Sequence, residues 1–351
     1  MEISLSFKMS VTDRSVAPEA RREAERVASR LGFSKADIGS IAIIVTELAK
    51  NLAKYASKGC LIVQTLQWDG RFGMELIALD QGPGMANPAA CLQDGFSTGG
   101  SPGTGLGAIN RLSTVFDIFS VPGQGTAILS RFWPKGPKGP PEGDSWEIGA
   151  LCVPKPGETV SGDGCAWKAA DLGLRVIVSD GLGHGPLAAT ASLEAIKAFH
   201  DSWHRSPSEI LKIVHEALRS TRGAAIGLAD VHRASGMVHF VGVGNIVGVV
   251  IGPTTSRSLV SHNGVVGSQM RKIQEFQYPW SEDATLVVHS DGISSRWRIH
   301  TYPGLIKRHP SLLAGVLYRD HGRGTDDSTV VVIRQSDRWK SHASGQSKQI
   351  T

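Results

Sequence analysis

The run Pro134-Lys-Gly-Pro-Lys-Gly-Pro-Pro-Glu-Gly143 constrains this chain more than any other ten residues. It holds four prolines and three glycines and no large apolar side chain. Such a run can neither join a core nor continue a helix or a central strand, which leaves it as a semi-rigid, extended linker. The 351 residues therefore divide into two parts, each long enough to bury its own core. The expected organisation is a domain over 1–133, a linker over 134–144, a second domain over 145–335 and a polar tail over 336–351. Glycine is abundant, with 41 residues, and aromatics make up only 6%. That balance favours loop-rich mixed structure over a helical bundle.

Composition also removes some function classes. No apolar run reaches the roughly 18–20 residues needed to cross a bilayer, and the start MEISLSFKMS lacks the basic-then-apolar pattern of a leader. A cytoplasmic protein with no membrane partner is expected. The formal charge is +5, but Lys and Arg are scattered, with no basic helix carrying interleaved aromatics. Nucleic acid is therefore not an expected partner. Cys60, Cys91, Cys152 and Cys165 form no C-x-x-C pair and read as buried thiols in a reducing compartment.

In the first part, helical spacing covers Glu19 to Leu31, with Pro18 suited to a helix start. A second helix is expected over Lys35 to Ala56, with Ile38, Ile41, Ile44, Val45 and Leu48 on its apolar face. Strands follow at Leu61–Gln67, Gly73–Leu79, Val115–Ser120 and Gly125–Phe132. Helices first and a mostly antiparallel sheet afterwards predict an α+β sandwich. The second part reads as β-branched strands at Arg175–Ser179, Val238–Val243, Ile246–Ile251, Thr285–Ser290 and Ser328–Ile333. Two helices, Pro186–His200 and Ser208–Ser220, lie between them. Two packed sheets flanked by helices are expected there.

Three motifs in the first part carry chemistry. Glu47 and Asn51 stand at i and i+4 and share a helix face, a carboxylate beside an amide. That pair suits a site where one group orients a nucleophile and the other holds Mg²⁺, although an E-x-x-x-N alone is usually a solvated pair. Asp80 ends a strand before a turn containing Gly82 and Gly84, where a carboxylate can accept a hydrogen bond from an exocyclic amine such as that of adenine. A Gly-rich stretch from Asp94 to Gly107 leads into a helix and lets backbone N–H groups approach phosphate oxygens. No G-K-[ST] follows, so it is not a P-loop, and no strand leads directly in, so it is not a Rossmann turn.

In this order and spacing the three motifs resemble the GHKL ATPase superfamily over residues 1–133, which implies a Bergerat α/β sandwich. By that resemblance Glu47 and Asn51 match the N box, and Asp80, Gly82 and Gly84 the first glycine box. Gly103, Gly105, Leu106 and Gly107 fall at the second glycine box, and Gly125-Thr126 matches the late Gly-Thr. The Asp-Gly-Phe-Ser-Thr run makes the segment look like the bacterial switch kinases that phosphorylate a Ser or Thr of a STAS-domain partner. The resemblance implies ATP, with Glu47 activating the substrate hydroxyl, Asn51 ligating Mg²⁺, Asp80 selecting adenine and Thr126 supporting its site.

In the second part, acids recur at strand ends: Asp163, Asp180 in Asp-Gly-Leu-Gly-His-Gly, Asp291 in Ser-Asp-Gly, and the pair Asp326–Asp327. Several carboxylates converging from separate strands are what a pair of hard divalent cations requires. Ordinary Asp-Gly turn chemistry explains any one of them alone. As an ordered set they resemble the PPM-type, SpoIIE-like protein phosphatases over about 145–335, which implies a β-sandwich flanked by helices. The implied ligands to Mg²⁺ or Mn²⁺ are Asp163, Asp180, the Gly181 carbonyl, Asp291 and Asp326, with Asp327 either a ligand or a support. His184 reads as a turn histidine rather than a general acid. No arginine near the first acidic motif matches the phosphate-holding arginine of larger relatives. The whole chain reads as a serine/threonine kinase joined to a metal-dependent phosphatase, acting on STAS-domain proteins in a partner-switching pathway. The alternative is an anti-sigma-factor-like, nucleotide-dependent binding module in which only the phosphatase half is active.

Overall fold

The computed structural model describes residues 2–56, 58–68, 70–92, 105–135, 145–170, 173–270 and 272–336. Two compact units are present: Met1–Glu142 with Tyr302–Arg319, and Gly143–Thr301 with Asp320–Thr351.

The first unit opens on a strand, β1 (Glu2–Val11), which precedes helices α1 (Val16–Arg30) and α2 (Lys35–Tyr55). Strands β2 (Gly59–Trp68) and β3 (Arg71–Asp80) follow, then helix α3 (Gly105–Leu112) and strands β4 (Val115–Ser120) and β5 (Thr126–Phe132). The sheet order is β1-β2-β3-β5-β4, antiparallel throughout. The expectation of helices before any strand is thus corrected by β1. Its alternation of Ile3, Leu5, Phe7 and Met9 is a strand signal, and it pairs along the whole length of β2 with a bulge between Leu5 and Phe7. Ser34 caps α2 by accepting the Asp37 N–H at 3.2 Å. Ile41, Ile44, Val45 and Leu48 then bury against Leu61, Val63, Leu76 and Ala78 of the sheet. Each such side chain contributes about 1.5–3 kcal/mol by leaving water.

The second unit carries β6 (Trp146–Val153), β7 (Asp163–Ala170), β8 (Gly173–Gly181), α4 (Pro186–Ser202) and α5 (Pro207–Ala217). Strands β9 (Ala224–His232), β10 (Met237–Val243), β11 (Val247–Ile251), β12 (Ser256–Leu259), β13 (Ser261–His262), β14 (Phe276–Pro279), β15 (Thr285–His289) and β16 (Ser328–Gln335) complete it. One sheet runs β13-β10-β9-β8-β7 with β14 also on β10, and the other runs β12-β11-β15-β16-β6. Helices α4 and α5 cover the first sheet through Ala191, Ala195, Phe199, Ile210, Leu211 and Val214. Ser206 closes a capping box with Glu209 at the start of α5. The expected pair of sheets with helical flanks is present. The strands β6, β7 and β9 lack the clean β-branched runs that marked the others.

The segment Tyr302–Arg319 belongs to the first unit, although the sequence reading assigns it to the second domain. It contains most of helix α6 (Pro310–His321), in which every residue from Pro310 to Leu317 is buried. A helix apolar all round needs cover on every side, and the free face of the first sheet supplies it. A Cβ on Gly315 would lie 3.0 Å from Leu79 Cδ2 and 3.3 Å from Ile77 Cγ2. Under this helix sits a buried polar group. The Arg131 Nε donates to Glu75 Oε2 at 2.5 Å, Gln64 Nε2 to Glu75 Oε1 at 2.9 Å, and Ser311 Oγ to Glu75 Oε2 at 2.8 Å. Glu75 has no exposed surface, so these donors replace the water that its carboxylate has lost.

Candidate functional site

In the first unit, the residues singled out from sequence gather at one end of the sheet. Asp80 closes β3 and stands opposite Thr126, the first residue of β5. The Asp80 Oδ1 accepts the Gly82 N–H at 2.7 Å and the Thr126 N–H at 3.2 Å. Burial pushes the Asp80 carboxyl above its ordinary range, and the two N–H donors draw it back. The turn after Asp80 needs its glycines. Gly84 has φ 68° and Gly125 has φ 80°, and side chains there would run into the Val121 and Asp80 carbonyls respectively. The Thr126 hydroxyl is buried and lies 2.9 Å from Ser120 Oγ, which also accepts the Met85 N–H at 2.7 Å.

Glu47 is partly buried on α2, with its Oε1 taking the Lys50 ammonium at 2.9 Å. Its Oε2 would be 2.6 Å from a Cβ on Gly105, so the carboxylate lies over the first turn of α3. Asn51, one turn on, is half-buried. Leu106 packs into the core and Gly107 is buried, which fixes the start of α3. Gly103, with the Asp-Gly-Phe-Ser-Thr run, lies outside the described residues. The structure thus brings together Glu47 with Gly105, and separately Asp80 with Gly82, Gly84 and Thr126.

The second unit collects the five aspartates from both of its sheets. Asp163 and Asp180 are register partners at the ends of β7 and β8. Asp291 follows β15, and Asp326 and Asp327 precede β16. Ser290 joins the two sheets: its Oγ donates to Asp163 Oδ2 at 2.6 Å and accepts the Thr329 N–H at 3.0 Å. Burial pushes the Asp163 carboxyl up to about 7, opposed by the Ser290 hydroxyl and reinforced by Asp327. Asp180 rises to about 8, first through burial and then through Asp163, Asp291, Asp326 and Asp327. Like charges gathered in a low-dielectric site favour the protonated acid unless a cation shares it. Asp327 is 3% exposed; its Oδ1 accepts the Lys155 N–H at 2.9 Å, while its Oδ2 is buried with no hydrogen-bond partner.

These observations fit divalent cations chemically. Among the described residues, no three acid, His or Cys side chains already converge on one ion position. Among those residues there is no single-ion cage, and the acids instead bear on Asp163 and Asp180 from both sheets, with Gly181 next to Asp180 at the end of β8. The Gly181 N–H donates to Gly162 O at 3.2 Å, and a side chain at Gly181 would strike the Ala188 carbonyl.

Sequence reasoning passed over Ser290 and Asn245, which hold this site, and Glu158, the partner of His184. Ser290 had a signal, since it precedes Asp291 in the Ser-Asp-Gly run. Asn245 had none; its Nδ2 donates to Asp291 Oδ2 at 2.7 Å from a turn after β10. His184 bonds through Nδ1 to Glu158 Oε1 at 2.6 Å, which ties the Asp180 loop to residues after β6.

Comparison with known proteins finds two family matches along the chain, the second of which includes the segment 302–319 that packs with the first unit. Residues 9–131 match the family model of the histidine kinase-like ATPase domain, and residues 170–336 match that of stage II sporulation protein E, SpoIIE. The serine/threonine-protein kinase RsbT of Bacillus subtilis is 40% identical over 32% of this chain and 86% of its own length. The phosphoserine phosphatase RsbX of the same organism is 25% identical over 40% of this chain and 71% of its own. A crystal structure of RsbX in complex with magnesium matches 56% of this chain and 98% of that one, with a TM-score of 0.50 at 20% identity, a likeness of fold. A solved chain described under the bacterial stressosome, as a modular system adapted to control secondary messenger signalling, matches 54% of this chain and 100% of that one, with a TM-score of 0.52 and 28% identity.

Proposed function

Because this chain belongs to the histidine kinase-like ATPase family alongside RsbT, and joins that domain to a SpoIIE-type phosphatase domain, we propose that it both phosphorylates and dephosphorylates serine or threonine on STAS-domain partners. The observation that carries the reading is that one sequence keeps chemistry-bearing side chains for both reactions, Glu47 for transfer and five clustered aspartates for hydrolysis. Pure nucleotide-gated capture of a partner has no use for a carboxylate at position 47.

In the kinase reaction Glu47 accepts the proton of the partner's hydroxyl as its oxygen takes the phosphoryl group that ATP supplies. Asn51 would hold the accompanying Mg²⁺, Asp80 would accept from the adenine amine, and Gly105 and Gly107 would leave the α3 backbone open to phosphate. Thr126 holds Asp80 in place through its N–H.

In the phosphatase reaction Asp163, Asp180, Asp291, Asp326 and the Gly181 carbonyl would hold a pair of Mg²⁺ or Mn²⁺ ions, with Asp327 ligating or supporting. When bound, such ions activate water and neutralise the phosphoryl charge during in-line attack. Ser290 keeps Asp163 aimed inward, and Asn245 does the same for Asp291. Writing and erasing one mark of about −1.5 to −2 charge is a means of switching a protein interface.

The test is incubation of the full chain with labelled ATP, Mg²⁺ or Mn²⁺, and STAS proteins encoded beside its gene. Glu47→Ala should cut labelling of the partner by about 10²–10⁴-fold while partner capture persists. Labelling that survives Glu47→Ala would overturn the kinase assignment. Wild-type chain that captures the partner but never labels it would leave an anti-sigma-type binding module in its place.

A further inference from the structure

The carboxylate cluster explains how cations are held but not how a phosphomonoester, itself an anion, is turned toward them. Five acids line the site, and the sequence places no arginine near the first acidic motif. A side-chain cation reaching the same loop from elsewhere in the fold would share that task with the metal ions.

Arg222 reaches it. The turn Thr221-Arg222-Gly223 precedes β9 and is fixed locally. Thr221 Oγ1 donates to Leu218 O at 2.7 Å and accepts the Gly223 N–H at 3.0 Å, and Gly223 takes φ 81°. The turn is clamped to the Asp180 loop by the Leu182 N–H, which donates to Gly223 O at 3.0 Å. From there the Arg222 side chain extends over Gly183: its Nη1 lies 3.0 Å from where a Cβ on that residue would be. Gly183 has φ 91°, a backbone conformation that favours glycine.

On its other side the same loop meets the acids. The His184 Cα and Asp327 Oδ2 lie 3.5 Å and 2.7 Å from the Cβ position of Gly162. Arg222 is exposed, and among the described residues it makes no hydrogen bond or ion pair. Glu158, the nearby acid, is engaged with His184 instead. Arg131, Arg175 and Arg334, by contrast, all pair with carboxylates.

We propose that Arg222, lying over Gly183, grips the non-bridging oxygens of the phosphoseryl or phosphothreonyl group. The assignment rests on the phosphatase reading above. A planar fork of N–H donors suits phosphate oxygens better than a point charge does.

The test uses the full chain with Mn²⁺, para-nitrophenyl phosphate as substrate and inorganic phosphate as inhibitor, and calorimetric titration of phosphate onto the Mg²⁺-loaded protein. Arg222→Ala should raise KM and the phosphate inhibition constant by about ten- to a hundredfold, with a smaller change in kcat and an unchanged Tm. Arg222→Lys should recover part of the loss, and guanidinium added to Arg222→Ala should recover part of it as well. Arg323→Ala is the comparison, because the Arg323 N–H donates to Gly292 O beside Asp291 at 2.8 Å. The assignment is overturned if Arg222→Ala shifts neither constant by more than about twofold, or if Arg323→Ala shows the effect in its place. Wild-type protein that binds phosphate through Arg222 yet hydrolyses nothing would leave the assignment standing and remove the phosphatase reading. Wild-type protein that does neither removes both.

Discussion

Asp80 and Asp180 occupy equivalent places in their units, each at the end of a strand that runs into a glycine-rich turn. Burial raises both carboxyls. Around Asp80 the fold supplies two backbone N–H donors, so its charge is met before any ligand arrives. Around Asp180 the fold supplies four more acids. The first site is organised by backbone geometry and glycine clearances, whereas the second is organised by repulsion that only protons or cations relieve. A site of the first kind is preformed; a carboxylate centre of the second kind couples its own stability to what it binds.

The strongest way to break this comparison is Asp180→Asn. Phosphate release from a phosphorylated STAS partner should fall by about a hundredfold or more, while partner labelling by ATP is untouched. Because the substitution also removes one charge from the cluster, the metal-free variant should melt higher than wild type at pH 8. A lower melting point would mean that the acids are not in conflict.

Gly125→Ala tests the other half. With φ 80° and the Asp80 carbonyl in the way, the substitution should destabilise the first unit by about 1–3 kcal/mol and weaken ATP binding, with phosphate release unaffected. Denaturant titration and nucleotide binding read the two effects.

The smallest effect sharpens the contrast through pH. Burial and the neighbouring acids push the Asp163 and Asp180 carboxyls up to about 7 and about 8 in the folded metal-free protein, against about 3.9 when unfolded. The native state therefore binds more protons between those values, so the contribution of these groups is complete below about pH 4 and is lost as pH rises through 7 to 8. Calorimetry of metal-free protein should show Tm falling by several degrees from pH 5 to pH 8.5, and Mn²⁺ should raise Tm more at the alkaline end. A flat profile would contradict the clustered-acid picture.

The parts of the molecule legible from sequence were those with strong local chemistry. Helix α2 announces itself through Ile41, Ile44, Val45 and Leu48, and its bounds differ from expectation by one residue. The pairing of Asp163 with Asp180 is a long-range register; the motifs named both residues, but only β7 and β8 reveal that they face each other. Glu47 over Gly105 is likewise a contact across 58 residues that no periodicity encodes. Asn245, Arg222 and Glu158 escaped because each is an ordinary polar residue in a turn, made significant by what folds against it. Helix α6 escaped for a different reason. Its Pro-Ser-Leu-Leu-Ala-Gly-Val-Leu run is apolar without the one-faced periodicity of a surface helix, and its destination lies some 180 positions back along the chain, where Ser311 meets Arg131 at 3.1 Å.

That destination affects how the polypeptide can be divided. Helix α6 is strung between Asp291 and Asp326, yet Arg319 at its far end donates to the carbonyl of Asp80 at 2.9 Å. Scissors placed at the proline-rich run would strip the N-terminal fragment of its own lid, uncovering Ile77, Leu79 and the Glu75–Arg131 pair. Swapping contiguous gene halves should therefore yield insoluble fragments, whereas a transplant that carries residues 302–319 along with 1–133 retains the missing layer.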